Sequence, residues 1–442
     1  MNSRQPWAGR KLHLVGICGA GMSGLARVAV ELGAEVSGSD SSDGSVAEQL
    51  RLLGVEVTVG HRAGNLPEQA DLVFSSAVGE QNVERVAAAE AGQRQLHRSE
   101  LLGELTAMRK TVAVTGTHGK TTTTAMVVAA LRGADLDPGY VVGAALPGNQ
   151  PNAYWGTGDW LVVEADESDR SLLNLSVEVA VLTNCELDHH ATYASIDDLE
   201  ETFRAFLARS QHAVIWNRPE LLKLASQGLD VVGYDAPDAV TVGRAVRFGW
   251  RGIPVELPMP GIHNAVNAAG ALEVALLVGC DKHSAVAGLE SFKGTGRRFE
   301  AVGVSRNGAQ LVDDYAHHPT EVAATLAAAR GVGAERVVAV FQPHLYSRTV
   351  AFASEFGAAL ATADRVLILD VYPARELADD FPGVSSQSIV EHASRLLGED
   401  AVSGVGGLDA AAAALEAELQ EGDLCVLMGA GDVGSLGKRL AV

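Results

Sequence analysis

A chain of 442 residues is long enough for about three domains and for cores that need no disulfide staples. Hydrophobic residues make up 47% and charged residues 20%, with 48 Gly against 14 Pro, which excludes disordered and collagen-like classes. The 34 basic and 55 acidic residues leave a formal charge of −21, which argues against a general nucleic-acid or acidic-membrane binder. Any anionic ligand has to be met by local cations.

Cys18, Cys185, Cys280 and Cys425 are scattered without a paired spacing, as in a reducing cytoplasm. No stretch reaches the roughly 18 uninterrupted apolar residues of a membrane helix, since Glu273 breaks even the run over 267–280. The apolar run after Lys11 meets four glycines between Gly16 and Gly24, which spoil it as a signal-peptide helix. The expectation is a cytoplasmic protein, monomer or homodimer, acting on small molecules with no nucleic acid and no membrane insertion.

In chain order, apolar β-branched runs at 12–17, 112–115, 161–164, 179–183, 337–341, 366–370 and 424–428 alternate with helical stretches. This predicts a parallel α/β layout. Most of the runs lack in/out alternation, as strands covered by helices on both faces do, and chemistry is expected at their carboxyl ends. A first segment opens near residue 10 and closes with a helical stretch over 99–108. A second starts with the strand at Thr111 and includes a β-rich patch over 240–257 and a helix after Pro260-Gly261. Residues 293–298 have linker composition, and 299–442 alternates strand and helix again.

Two glycine turns follow predicted strands. Gly19-Ala20-Gly21-Met22-Ser23-Gly24 opens a helix, with Asp40 ending the next strand; taken alone this fingerprint predicts NAD. Physically it requires only that a diphosphate approach backbone N–H groups at a helix N-terminus. The second turn, Gly116-Thr117-His118-Gly119-Lys120-Thr121, runs into three further threonines, Thr122-Thr123-Thr124. It supplies the P-loop parts: backbone donors for phosphates, Lys120 toward the β/γ oxygens, and a Thr121 hydroxyl for Mg²⁺. It departs from the usual spacing, with Val114 where the first Gly belongs.

Metal ligands are expected at neighbouring strand ends. Glu164-Ala165-Asp166-Glu167-Ser168-Asp169 follows one apolar strand, with Glu164 the first choice for Mg²⁺, and Asp188-His189 follows another. The pattern points to a hard, oxygen-rich, two-metal phosphate site, with Asp188-His189 as the second metal position.

These motifs resemble the central domain of the Mur ligases, the ATP-dependent amide ligases of peptidoglycan precursor synthesis. Gly261-Ile262-His263-Asn264-Ala265-Val266-Asn267, Gly294-Thr295-Gly296-Arg297-Arg298-Phe299 and Asp313-Asp314-Tyr315-Ala316-His317-His318-Pro319 are similar to later family motifs. So are Phe341-Gln342-Pro343-His344 with Arg348, and Gly429-Ala430-Gly431-Asp432. The resemblance implies an α/β fold of three domains. These are a Rossmann-like UDP-sugar-binding domain over 1–108, a P-loop-type ATPase domain over 109–298 and a Rossmann-like amino-acid-binding domain over 299–442. Within the family, the first glycine turn together with residues 315–319 resembles the member that adds L-alanine to the lactyl carboxylate of UDP-N-acetylmuramate.

Carried over residue by residue, the resemblance places the sugar nucleotide on Gly19, Ala20, Gly21, Met22 and Ser23, with Asp40, His61, Ser75 and Ser76 as further contacts. It places ATP on Gly116, Thr117, His118, Gly119, Lys120, Thr121 and Thr122, with Asn264, Asn267 and Arg298; Asn264 can equally cap the helix that follows. Mg²⁺, with Mn²⁺ able to substitute, falls to Thr121, Glu164 and His189. Tyr315, His317, His344 and Arg348 take the amino-acid end. Lys120, His189, Arg298, Asp314, His317, His344 and Arg348 form the implied catalytic set, with His317 or His344 as candidate base. The resemblance breaks at Leu345, where the family carries a basic residue. Residues 199–210 also contain no lysine for the carbamate that sister ligases use. A dehydrogenase would leave the second turn and the acid cluster without work, a P-loop switch or transport ATPase would leave the first segment unexplained, and a tripeptide-adding ligase is the alternative within the family.

Overall fold

Near-continuous apolar strands need cover on both faces, and the chain supplies it by following most parallel strands with a helix. The computed structural model describes residues 5–148 and 150–442. It forms two compact units, residues up to 235 with 270–289, and residues 236–269 with 290–442.

The first unit holds two sheets. Strands β1 (Lys11–Val15), β2 (Glu35–Asp40), β3 (Glu56–Val59), β4 (Asp71–Phe74) and β5 (Gln95–His97) pair in parallel in the order β3-β2-β1-β4-β5. The order reverses beside β1, which opens a crevice at its carboxyl end next to that of β4. The next strands are β6 (Lys110–Thr115), β7 (Gly139–Val141), β8 (Ala153–Tyr154), β9 (Trp160–Glu164), β10 (Val179–Leu182), β11 (His212–Trp216) and β12 (Asp230–Tyr234). Their order is β12-β11-β10-β6-β9-β7-β8, parallel except at β7–β8. Here β6 lies centrally, so its outgoing loop is flanked by the ends of β9 and β10.

The second unit contains an antiparallel meander, β13 (Val240–Val242), β14 (Ala245–Trp250) and β15 (Ile253–Leu257). Its main sheet is β16 (Glu300–Val304), β17 (Gln310–Asp314), β18 (Arg336–Phe341), β19 (Arg365–Leu369), β20 (Val402–Gly406) and β21 (Asp423–Met428), in the order β16-β17-β21-β18-β19-β20. Only β16 runs antiparallel. Val312, Ala339, Ile368 and Val426 enter the core on one face, and Leu311, Val340, Leu367 and Leu427 the core on the other. Two-sided burial is why these strands read as unbroken apolar runs.

Several expected element ends shift. The first strand stops at Val15, short of 17, because Gly16 turns at φ 76° and the N–H groups of Gly16 and Ile17 both donate to the Ser39 carbonyl. The helix expected over 99–108 is Arg98–Thr106, started one residue early by a capping box in which His97 and Glu100 exchange bonds with each other's backbone. The strand expected over 179–183 ends at Leu182, and that over 366–370 is Arg365–Leu369. The β-rich patch at 240–257 matches the meander. Among the described residues, no helix is long and apolar enough to cross a membrane.

The helix that leaves the second glycine turn, Lys120–Gly133, packs tightly on Lys282–Glu290 at Gly133 and Gly288. A Cβ on Gly133 would lie 2.5 Å from the Gly288 Cα, and one on Gly288 would strike the Ala129 carbonyl oxygen. Gly288→Ala is therefore expected to destabilise the protein by about 1–3 kcal/mol through overpacking, read by denaturant unfolding.

Candidate functional site

The second glycine turn is shaped by close approach. Gly116 has φ 131°, and any Cβ there would collide with the Thr183 side-chain oxygen just past β10. The exit of β10 straps the turn: Asn184 Oδ1 accepts from the His118 N–H at 2.8 Å, its Nδ2 donates to the His118 carbonyl at 3.0 Å, and Thr117 and Glu186 exchange bonds at 2.8 and 2.9 Å. Gly119, at φ 78°, precedes the helix Lys120–Gly133, whose N-terminus no side chain caps. Uncapped N–H groups at a helix start are a ready anion site.

Lys120 curls back over this turn. Its Nζ donates to the carbonyls of Gly116 at 2.7 Å and Thr117 at 3.1 Å, and to Glu167 Oε1 at 3.0 Å. Burial pulls the ammonium pKa down, but Glu167, Asp166 and Glu164 more than offset it and the net shift is upward, so Lys120 is charged. Glu164 accepts from the Thr121 hydroxyl at 3.0 Å and from the Gly143 N–H at 2.7 Å, and its pKa is raised because burial outweighs Lys120 and these bonds. Asp166 is only partly enclosed, and Lys120, Arg98 and the Ser168 N–H outweigh its desolvation and hold it at about 2. His189, at φ 54°, brings Nε2 to 3.3 Å from Glu167. Thr121 and Glu164 thus form one hydroxyl–carboxylate pair, and Lys120, Glu167 and His189 a second cluster. A hydroxyl beside partly enclosed carboxylates, one of them shifted toward its neutral form, is a donor set that fits a hard divalent cation.

The first glycine turn opens a cleft of about 590 Å³. Gly19, Ala20, Gly21, Met22, Asp40 and Ser75 line it, together with Arg98, Glu164 and Asp166. Ser23, His61 and Ser76 do not. The Ser23 hydroxyl bonds back to the Ala20 carbonyl, Ser76 donates to Asp169 at 2.5 Å, and His61 sits one strand outward, against Ser39. Asp40 clamps the turn itself: its Oδ2 accepts from the Cys18 N–H at 2.9 Å and its Oδ1 from Ser42 at 3.1 Å. Arg98, which pairs with Asp166 at 2.9 Å, and Glu167 and Glu84 are absent from the sequence-derived site. Arg98 and Glu167 had a signal, one just past a strand end and the other inside the acid cluster; Glu84 reads only as an ordinary first-turn helix acid.

In the second unit, the expected residues gather at the carboxyl ends of β17, β18 and β21. Asp314, pushed up to about 6 by burial against the pull of Arg298, accepts from the N–H groups of Phe299 and Ala316, each at 2.8 Å. The guanidiniums of Arg297 and Arg298 both lie about 5 Å from the Tyr315 ring centre, and Arg297 reaches the Gly429 carbonyl at 2.7 Å. His317 Nδ1 faces the Tyr315 carbonyl at 3.0 Å, and Arg348 Nη1 faces His344 Nδ1 at 3.2 Å. His344 stacks on Tyr372 at 5.8 Å. Asn264 is buried and donates to the Pro260 carbonyl at 2.7 Å, and Asn267 is buried on the same helix, Ile262–Leu277. Leu345, at φ 71°, offers no oxygen to cap the helix Tyr346–Leu360 that carries Arg348. Glu376 does this instead, accepting from the Ser347 N–H at 3.0 Å and its hydroxyl at 2.5 Å.

Three outcomes follow from these contacts. Lys120→Met leaves Glu167 buried without its cation and lowers stability by about 3–5 kcal/mol, part of which Glu167→Gln restores in the double variant, read by chemical denaturation. Glu376→Ala costs about 1 kcal/mol, the size of a lost helix cap. Glu84, wholly buried, is held down at about 2 because His13, Ser39, Arg62 and Asn65 outweigh its desolvation. A depressed carboxylate stabilises above its ordinary value near 4.5 and loses that contribution as pH falls toward 2, so Glu84→Gln flattens the acid limb of a stability-against-pH curve over that window.

Comparison with known proteins agrees with this geometry. Residues 11–110 match the Mur ligase family catalytic domain, 114–275 the Mur ligase middle domain and 297–431 the Mur ligase glutamate ligase domain. A relative from Thermobifida fusca named UDP-N-acetylmuramate--L-alanine ligase is 43% identical over 97% of this chain and 96% of its own length. One of the same name from Chlorobaculum tepidum is 40% identical over 98% and 95%. The crystal structure of UDP-N-acetylmuramate-alanine ligase MurC from Thermotoga maritima superposes with a TM-score of 0.82 at 28% identity, covering 97% of this chain and 98% of that one. The dehydrogenase reading of the first glycine turn finds no support among these matches, and the α/β, three-domain architecture is that of the ligases. With nearly its whole length aligned to such relatives, the chain belongs to the Mur ligase family.

Proposed function

We propose that this chain joins L-alanine to the lactyl carboxylate of UDP-N-acetylmuramate, with ATP cleaved to ADP and phosphate, in the cytoplasm, as a monomer or homodimer. The observation that carries the reading is the single 590 Å³ cleft in which the first glycine turn and the acids Glu164 and Asp166 face one space. A sugar nucleotide held by its diphosphate on Gly19, Ala20, Gly21 and Met22 directs its carboxylate toward the phosphate-binding turn. The proposed domains are 1–108 for the sugar nucleotide, 109–298 for ATP and 299–442 for the amino acid.

Joining a carboxylate to an amine in water is uphill, so the carboxylate must first become an acyl phosphate. Backbone N–H groups around Gly116, Thr117, Gly119 and Thr122 receive the triphosphate, with the His118 N–H held by Asn184 to shape the turn, and Lys120, already charged, turns from its own carbonyls to the phosphate oxygens. Mg²⁺ would be held by Thr121 and Glu164, with His189 as the further ligand, and would supply charge neutralisation to the phosphates. Asn264, Asn267 and Arg298 serve the nucleoside and closure side.

The two histidines take different parts. His317 donates from Nδ1 to the Tyr315 carbonyl, which leaves Nε2 to take a proton from the alanine ammonium. His344 accepts from Arg348 at Nδ1, so its Nε2 carries the proton, and together they suit the alanine carboxylate. Tyr315 and Asp314 fix this end. Water must be kept out, since an acyl phosphate hydrolyses when wet.

Phosphate release that requires both UDP-N-acetylmuramate and L-alanine is the expected result. Turnover with neither, a change in NADH absorbance, or a preference for a preformed tripeptide over L-alanine would each count against the reading. Lys120→Ala is expected to abolish acyl phosphate formation while calorimetry still detects the sugar nucleotide; loss of both contradicts the domain assignment. Arg348→Ala is expected to raise KM for L-alanine by about 10- to 100-fold, the loss of a charged hydrogen bond, with a smaller change for ATP.

A further inference from the structure

The sheet that carries the second glycine turn reaches back to the first through a hairpin that no step above uses. β7 and β8 pair antiparallel at Tyr140–Tyr154 and Val141–Ala153, and the Val142 N–H donates to the Asn152 carbonyl at 2.8 Å. Tyr140, buried, braces the pair by donating its hydroxyl to the Pro151 carbonyl at 3.2 Å. The hairpin meets the helix Ala20–Glu31 at its start, its middle and its end. Asn152 Nδ2 donates to the Ala20 carbonyl, in the first glycine turn itself, at 2.6 Å; a carbonyl only accepts, so the amide nitrogen is the atom that faces it. Gly24, the last glycine of that turn, makes room for the hairpin: a Cβ there would stand 3.1 Å from the Ala153 Cβ and 3.3 Å from Asn152 Nδ2. At the far end the Trp155 N–H donates to Glu31 Oε2 at 2.6 Å.

The other strand of the same hairpin meets the acid cluster. The Gly143 N–H donates to Glu164 Oε2 at 2.7 Å, and a Cβ on Gly143 would press on that same oxygen. One backbone hydrogen bond, Val142 to Asn152, therefore lies between the grip on the first glycine turn and the grip on Glu164. Val141, Val142 and Gly143 line the cleft between the two, and Asn152 does not. Resting on the sugar-nucleotide reading of the first glycine turn and on Glu164 as a metal ligand, we propose that Asn152 is a positioning residue for the reaction. Through the β7–β8 hairpin it fixes the distance between the turn that carries the sugar nucleotide and the carboxylate that faces the metal. In-line attack of a carboxylate on phosphorus tolerates little error, and a misplacement of about 1 Å costs about 100-fold in rate. Asn152 thus acts on the rate, and the contacts that hold each ligand are made by other residues.

Asn152→Ala in the full chain tests this by three measurements. In calorimetry, UDP alone and Mn²⁺ with ADP alone are each expected to bind the variant within about threefold of the parent. In steady-state kinetics, kcat is expected to fall by about 10- to 100-fold while KM for UDP-N-acetylmuramate moves by less than about threefold. In phosphorus-31 NMR with UDP and Mn²⁺-ADP bound together, the paramagnetic relaxation of the UDP phosphorus nuclei, which falls steeply with their distance from Mn²⁺, is expected to weaken several-fold in the variant. An unchanged kcat, an unchanged relaxation, or a loss of kcat matched by an equal loss of UDP affinity overturns the proposal and leaves the sugar-nucleotide reading standing. Failure of UDP to bind the parent overturns both, and failure of Mn²⁺ with ADP to bind the parent overturns the proposal together with the metal reading of Glu164.

Discussion

One nearly enclosed cation organises the acid cluster beside the second glycine turn. Among the described residues, backbone carbonyls and Glu167 meet Lys120, while Glu164 and Asp166 lie close enough to raise its pKa further. A lysine with three acids around it is over-neutralised, and the surplus negative charge leaves room for a divalent cation and a charged phosphate to enter together. Desolvation raises the Glu164 pKa despite the lysine, the Gly143 N–H and the Thr121 hydroxyl, and the neighbouring Asp166 adds to the rise. The cluster is costly unless each member is met, which explains why the turn around it is tied so closely to the exit of β10.

The sheets bring these groups together by one repeated device. In the first sheet the strand order reverses beside β1, in the second β6 is flanked by β9 and β10, and in the main sheet of the second unit β21 lies between β17 and β18. At each, loops from strands distant in the chain emerge side by side, and a turn with little side chain meets polar residues from its neighbours. Parallel strands covered on both faces cannot easily move, so the loops sit on rigid supports. The positive-φ residues His189, Arg297, Phe299 and Leu345 cluster at these loop ends, where the surrounding contacts pay for the strain.

Legibility in the sequence followed chemistry that is local in the chain. The two glycine turns, the acid cluster after β9 and the histidines near 317 and 344 could be read because each is a short run with a physical reason for its order. Glu84 and Glu376 could not, nor could the partner of Arg98. Arg98 meets Asp166 from 68 residues away, Glu84 meets Ser39 across 45, and Glu376 caps a helix whose own start, Leu345, lacks the oxygen. Asp40 was legible as a site acid, but its bonds to Cys18 and Ser42 make it first a clamp on the turn.

By itself the sequence determined the α/β class, the positions of the two glycine turns and the kinds of side chain offered beside them, because hydrophobic period and turn chemistry act over a few residues. Tertiary structure alone decided which acid pairs with which base and which partner each ring nitrogen faces. It also decided where each strand stops. Those choices depend on partners that folding brings from far along the chain, and on burial, which sets whether a carboxylate near a lysine stays charged.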